Sequence, residues 1–255
     1  MEKITADLAA QHTELRGILT ALTPEQWDTP SLCPGWSVAD VVLHLAQSDE
    51  AALGSARGTI SVAAKGAGWD LDDLHAGRAT MDEIAERAIA AQRGAPPAEL
   101  LARWSAAADG LVSTLSITDP KRALPWVVGE LPARTLATTR LAECWIHTHD
   151  IARPLGIAME PADRMWHIAR LAWRTLPYAF ARAGQTLTGP VALILDKPDG
   201  TGTWEFVEGE PLTTVTGPAE TFLYVAARRV PGLESDLEAS GPDADAVLEL
   251  VRTFA

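Results

Sequence analysis

The chain has 255 residues, 47% hydrophobic and 22% charged, which is typical of a globular protein with one large core or two smaller ones. Its formal net charge of -13 would repel a phosphate backbone, so nucleic acid is excluded as an expected partner. The N-terminus lacks the apolar segment of a signal peptide, and no run approaches the roughly 20 apolar residues of a membrane span, so we expect a cytoplasmic protein with no membrane partner. Cys33 and Cys144 are expected to be free thiols in that reducing compartment.

The first part of the chain is predicted to be helical, because its apolar residues recur at three- and four-residue intervals. Ser37 and Asp40 have the spacing of a capping box at the start of one helix. A long connection with a short helix near residues 71–75 is expected between two of the helices, and a loop with an extended piece at residues 126–128 before the last. The predicted helices cover residues 5–22, 37–56, 80–93, 96–115 and 134–152. Four principal helices joined by loops predict an antiparallel bundle.

The pattern changes after Pro161, where β-branched runs appear. Two of these runs flank Lys197-Pro-Asp-Gly200, which is turn chemistry typical of a β-hairpin. The predicted elements are helices at 162–183, 217–229 and from 242 onward, and strands at 191–195, 203–207, 212–216 and 237–240. We therefore predict an α+β protein with a helical domain over residues 1–156 and a small α+β domain over residues 157–255.

Glu143 and His147 are four residues apart in the helix predicted at 134–152, so their side chains lie one above the other on one face. A carboxylate and an imidazole suit zinc or a neighbouring divalent ion, but two ligands alone do not make a site. His149 lies roughly 200° round the helix from His147, and Cys144 about 100° from Glu143. We expect both to pack rather than to bind the same metal.

Two stretches, LCPGWSVADVVLHLAQSD (residues 32–49) and LAECWIHTHDIARPLG (residues 141–156), together resemble the mycothiol-dependent maleylpyruvate isomerase family of the DinB-like metalloprotein superfamily. Residues 189–229 are similar to the small C-terminal α+β domain of that family. The resemblance implies a DinB-like four-helix bundle that binds a divalent metal, usually zinc, through three side chains. Those ligands fall on His44, Glu143 and His147.

The resemblance also implies the chemistry. Family members are associated with low-molecular-weight thiols, so the expected enzyme activates mycothiol as a cosubstrate for isomerisation of the maleylpyruvate type or for S-transfer to a small electrophile. In the isomerisation the thiol adds to a cis double bond, rotation follows, and elimination returns the thiol. A metal-dependent hydrolase that uses metal-bound hydroxide and a non-catalytic metal-binding protein remain as alternatives. The oligomeric state stays open.

Several further residues have two readings. Asp40 and Asp150 either orient the rings of His44 and His147 or serve as a helix cap and a solvated acid at a helix end. Cys33 is expected to be structural rather than nucleophilic, because the proposed nucleophile arrives with the cosubstrate. The family's functional arginine corresponds to Arg228 or Arg229, either in contact with a substrate carboxylate or exposed to solvent.

Overall fold

The protein is described here from a computed structural model of residues 1–253, which divides into two compact units, Met1–Met159 and Glu160–Ala255. The first unit is helical. Its helices in chain order are α1 (Glu2–Ala21), α2 (Pro24–Trp27), α3 (Val38–Arg57), α4 (Ile60–Ala67), α5 (Leu71–His75), α6 (Met81–Gln92), α7 (Pro97–Ser116) and α8 (Ala133–Ala152). Two short antiparallel strands, β1 (Ala123–Pro125) and β2 (Glu130–Pro132), connect α7 to α8.

Helices α1, α3, α7 and α8 are each 20 residues long and form the body of the first unit. Helix α3 packs against α7 and α8, and α1 packs against the same two helices. Their shared core is apolar and contains the fully buried side chains of Leu15, Leu43, Leu45 and Trp104. The prediction of a helical N-terminal region is confirmed.

Helix α3 begins where its sequence predicts. The backbone N–H of Asp40 donates to Ser37 Oγ, and the Asp40 carboxylate accepts from the Ser37 backbone, which completes the capping box. The helix ends at Gly58, whose φ of 76° is in the left-handed region that glycine adopts without strain. These two signals set the position of His44 in the second turn of α3.

Two predictions for the first unit are wrong. The connection predicted at residues 54–80 contains the additional helix α4, which packs against α3. The contact uses small residues, since a Cβ atom on Gly54 would overlap that of Ala63, and alternating alanine and glycine carry no hydrophobic periodicity. Residues 126–128, predicted to be extended, form the turn between β1 and β2, in which the Trp126 N–H donates to the Gly129 carbonyl at 2.8 Å.

The second unit contains a four-stranded mixed sheet in the order β4-β3-β5-β6. Strand β3 pairs antiparallel with β4, as the hairpin prediction requires, and parallel with β5, which pairs antiparallel with β6. The α+β prediction is confirmed. Strands and helices in chain order are α9 (Met165–Arg174), α10 (Leu176–Arg182), β3 (Val191–Asp196), β4 (Thr203–Phe206), β5 (Thr213–Pro218), α11 (Ala219–Ala226), β6 (Glu238–Ser240) and α12 (Ala244–Leu250).

Two helix boundaries in the second unit differ from the prediction. The single helix predicted at residues 162–183 is divided at Thr175, because Pro177 has no N–H to continue the helical hydrogen bonds. Helix α11 ends at Ala226 rather than near residue 229, and Arg228 follows it with a left-handed φ of 63°. Among residues 1–253, no helix has the length and apolar character needed to cross a membrane.

Candidate metal centre

Three side chains from two helices converge in the first unit. Glu143 and His147 lie one turn apart on α8, and His44 approaches them from α3. Glu143 Oε2 is 3.6 Å from His44 Nε2 and 3.7 Å from His147 Nε2. The three potential ligand atoms all lie within 4.8 Å of one another. The side chains that the family resemblance implies as ligands are therefore neighbours in the folded chain.

The distances in this triad have a chemical meaning. At 3.6 and 3.7 Å the nitrogens are too far from the carboxylate oxygen for ordinary hydrogen bonds. Zinc bonds to nitrogen and oxygen are about 2.1 Å long, which places neighbouring ligands of a tetrahedral ion about 3.4 Å apart. The observed spacing is close to that value, and two imidazoles plus one carboxylate are a typical catalytic zinc set. The residues fit a divalent ion.

One side of the triad is more open than the other. The side chain of Glu143 is 26% exposed, compared with 13% for His44 and 10% for His147. The ring of Trp36 lies over His44 with a centroid distance of 5.2 Å, and its indole N–H is held by Glu86 at 2.6 Å. An ion on the three ligands would face solvent on the Glu143 side, where a further ligand can approach.

His147 has a second partner on its other nitrogen. Its Nδ1 lies 3.0 Å from Asp150 Oδ2, and because a carboxylate only accepts, Nδ1 carries the proton and Nε2 presents its lone pair. The prediction that Asp150 orients this ring is confirmed at the level of the hydrogen bond. The Cys33 thiol also donates to Asp150 Oδ2, at 3.2 Å. Cys33, His147 and Asp150 thus form a second buried group with the composition of a metal site.

Charge in the triad is unevenly distributed. Burial alone raises the pKa of Glu143, but the positive character of His44, Arg140 and His147 outweighs it and lowers the pKa to about 2. Burial lowers the pKa of His147, yet Asp150, Cys33 and Glu143 together raise it to about 10. Glu143 is consequently ionised at neutral pH, and a metal that binds His147 Nε2 must displace a proton.

His44 differs from His147 in both pKa and hydrogen bonding. Burial lowers the pKa of His44, Glu143 offsets this only in part, and the charge of His147 adds to the lowering. Its buried Nδ1 has no hydrogen-bond partner in the structure. His44 is therefore neutral at neutral pH, which is the form that binds a metal.

The other candidates of the sequence lie outside the triad. Asp40 does not orient His44, because its carboxylate caps α3 and pairs with Arg93 at 2.8 Å; its reading as a cap is confirmed. The ring of His149 packs on Trp145 with a centroid distance of 4.3 Å, in agreement with a non-ligand. Cys144 is buried in the core, as expected, and burial raises the pKa of its thiol.

A buried ion pair lies near the triad and was not recognised in the sequence. Arg140 Nε donates to Asp49 Oδ1 at 2.9 Å and joins α8 to α3, while a second guanidinium nitrogen donates to Ser48 at 2.7 Å. The indole N–H of Trp104 donates to the other carboxylate oxygen. Arg140 shares the predicted helix face with Glu143, but its partner is 91 residues away, and local spacing does not reveal such a pair.

Arg228 and Arg229 are described in the second unit alone. Arg228 is exposed and its Nη1 donates to the carbonyl of Glu249 at 2.6 Å. Arg229 is half-buried, and its Nη1 donates to the carbonyl of Ala227 at 2.9 Å. Their role in substrate binding stays a prediction.

Comparison with known proteins places the chain. Residues 8–152, which include the whole triad, match the family described as the mycothiol maleylpyruvate isomerase N-terminal domain. The chain belongs to this family. Two uncharacterized members of similar length, from two strains of Mycobacterium tuberculosis, are 31% identical over 98% of this chain and 94% of theirs.

Solved structures share the fold of this family member. The crystal structures of mycothiol-dependent maleylpyruvate isomerase and of a histidine-to-alanine variant superpose with TM-scores of 0.61 and 0.60. Each comparison covers 95% of both chains at 18% sequence identity. This similarity extends across both units and establishes a shared fold.

Proposed function

We propose that the protein is a thiol-dependent enzyme whose first unit binds a divalent metal, zinc, through His44, Glu143 and His147. The spacing of the three ligand atoms carries the proposal, because it is too wide for mutual hydrogen bonds and suits a shared ion. Membership in the mycothiol maleylpyruvate isomerase family supports it independently.

The proposed cosubstrate is a low-molecular-weight thiol of the mycothiol class, and the proposed substrate is a small electrophile. A bound divalent ion would supply Lewis acidity that lowers the pKa of an incoming thiol towards neutrality. The chain's own residues prepare this chemistry. Glu143 remains ionised, His44 presents a neutral imidazole, and Asp150 holds the proton of His147 on Nδ1, away from the ligand atoms.

The proposed reaction is isomerisation or S-transfer. In the first, the thiol sulfur adds to a cis carbon–carbon double bond, the resulting single bond rotates, and elimination restores the double bond and the thiol. In the second, the sulfur stays on the electrophile. Arg228 or Arg229 is proposed to bind a substrate carboxylate through its planar guanidinium.

Metal analysis tests the site. We expect about one divalent ion per chain in the wild type and loss of most of it in His147→Ala. The matched control is His149→Ala, which removes a histidine on the same helix that packs on Trp145 instead. Full metal occupancy in folded His147→Ala protein would contradict the assignment.

Thiol stoichiometry tests the reaction. With maleylpyruvate or a small alkylating electrophile, turnover that needs mycothiol without consuming it indicates isomerisation. Consumption of one thiol per product indicates S-transfer. Turnover without any thiol would contradict the proposal in favour of a hydrolase, and a metal-loaded protein inactive with every substrate would leave the metal-binding protein.

A further inference from the structure

The turn before α3 holds Asp150 by both its backbone and its side chain. Cys33-Pro-Gly-Trp36 forms a tight turn in which the Trp36 N–H donates to the Cys33 carbonyl at 3.0 Å. Pro34 and Gly35, with a φ of 80° at the glycine, suit the central positions of a type II turn. This turn fixes the direction of the Cys33 side chain.

Both contacts of this turn with α8 go to the same residue. The Leu32 N–H donates to the Asp150 carbonyl at 3.1 Å, and the Cys33 thiol donates to Asp150 Oδ2 at 3.2 Å. The same Oδ2 accepts the Nδ1 proton of His147. One carboxylate oxygen therefore links a cysteine of the turn to the ring of a proposed metal ligand.

We propose that Cys33 is a positioning residue of the metal centre, a role that rests on the metal site proposed above. Its thiol holds the Asp150 carboxylate in the orientation that keeps the Nδ1 proton of His147 in place. His147 Nε2 is thereby directed towards Glu143. Cys33 acts through Asp150 and does not itself bind the ion.

Buried geometry supports this assignment over direct ligation by Cys33. The Asp150 side chain is fully buried and its 3.0 Å separation from His147 Nδ1 is that of a hydrogen bond. The same nitrogen cannot both carry this proton and bind an ion. Partners of this kind fix the ring orientation of metal-bound histidines, and their removal typically costs about 10- to 100-fold in metal affinity.

Cobalt binding tests the role of Cys33. We would load the full-length protein with Co²⁺, measure affinity by competition with a chelator, and record the visible d–d spectrum. Cys33→Ala should bind Co²⁺ roughly tenfold more weakly, at the lower end of that range, and show a shifted spectrum. Cys33→Ser, which keeps a donor, should recover most of both, and Cys144→Ala, the matched buried cysteine, should resemble the wild type.

A double variant separates positioning from a general loss of structure. If Cys33 acts through Asp150, then Cys33→Ala should cause no further loss of affinity in an Asp150→Ala background. Additive losses would overturn the inference, and so would unchanged affinity and spectrum in Cys33→Ala. Urea unfolding of each variant verifies that it is folded.

Two further outcomes are distinguishable. A strong thiolate-to-cobalt charge-transfer band that disappears in Cys33→Ala would show that Cys33 is a ligand, and would overturn its positioning role alone. A wild type that binds no Co²⁺ at a site sensitive to His147→Ala would overturn the metal site, and the positioning role with it.

Discussion

The ion pair between Arg140 and Asp49 provides a sharp test of the energetics of this fold. Its two side chains are only 3% and 1% exposed, and they join α8 to α3 beside the proposed metal centre. Replacing Arg140 by Met removes the guanidinium and leaves the Asp49 carboxylate with the indole N–H of Trp104. An uncompensated buried charge of this kind costs about 3–5 kcal/mol. Typical domains have only about 5–15 kcal/mol of stability, so the loss should be large.

The assay is urea unfolding of the two single variants and the double variant Asp49→Leu/Arg140→Met. We expect the double variant to recover much of the loss, because it replaces both charges with apolar side chains. The matched control is Asp109→Ala, which breaks a pair with Arg16 whose side chains are 35% and 66% exposed. Exposed pairs contribute about 0–1 kcal/mol. A cost below about 1 kcal/mol for Arg140→Met, or a double variant no more stable than that single variant, would refute the reasoning.

Two further predictions concern buried groups outside the proposed centre. Burial lowers the pKa of His12, whose ring nitrogens lack hydrogen-bond partners in the structure and whose ring edge contacts Trp104. The unfolded chain therefore binds the proton first, and stability should fall by up to about 1.4 kcal/mol per pH unit as the pH drops below about 6.5 towards the folded pKa. Urea unfolding at several pH values should show a weaker fall in His12→Leu; parallel curves would contradict this. Gly17→Ala, on an open helix face, should stabilise by about 0.5–1 kcal/mol. Gly54→Ala, which overlaps Ala63, should cost about 1–3 kcal/mol, and equal thermal shifts of the two variants would be the wrong result.

Local signals in the sequence identify several elements correctly. The Ser37 capping box marks the start of α3, and the Pro-Asp-Gly turn predicts the hairpin of β3 and β4. Both depend on chemistry within a few residues. Helix α4 was missed because its contact with α3 uses small side chains, such as Ala63 against Gly54, that leave no apolar stripe. The division of the helix at Thr175 required more weight on Pro177.

The role of Cys33 shows the limit of local reasoning. Its expected structural role agrees with its burial, but its contact with Asp150 joins residues 117 positions apart. The two readings of Asp150 were equally open until the ring of His147 was placed beside it at 3.0 Å. Asp40 has the same residue type and the same spacing from a histidine, yet it caps a helix instead.

The sequence by itself determined that Glu143 and His147 share a face, because helix geometry alone brings positions i and i+4 together. Family resemblance added His44 to this pair. Only the packing of α3 against α8 decided how close His44 comes, and only the turn at Cys33 decided which nitrogen of His147 carries its proton. The physical reason is that a helix fixes neighbours by covalent geometry, whereas contacts between helices depend on side chains packed along their whole length.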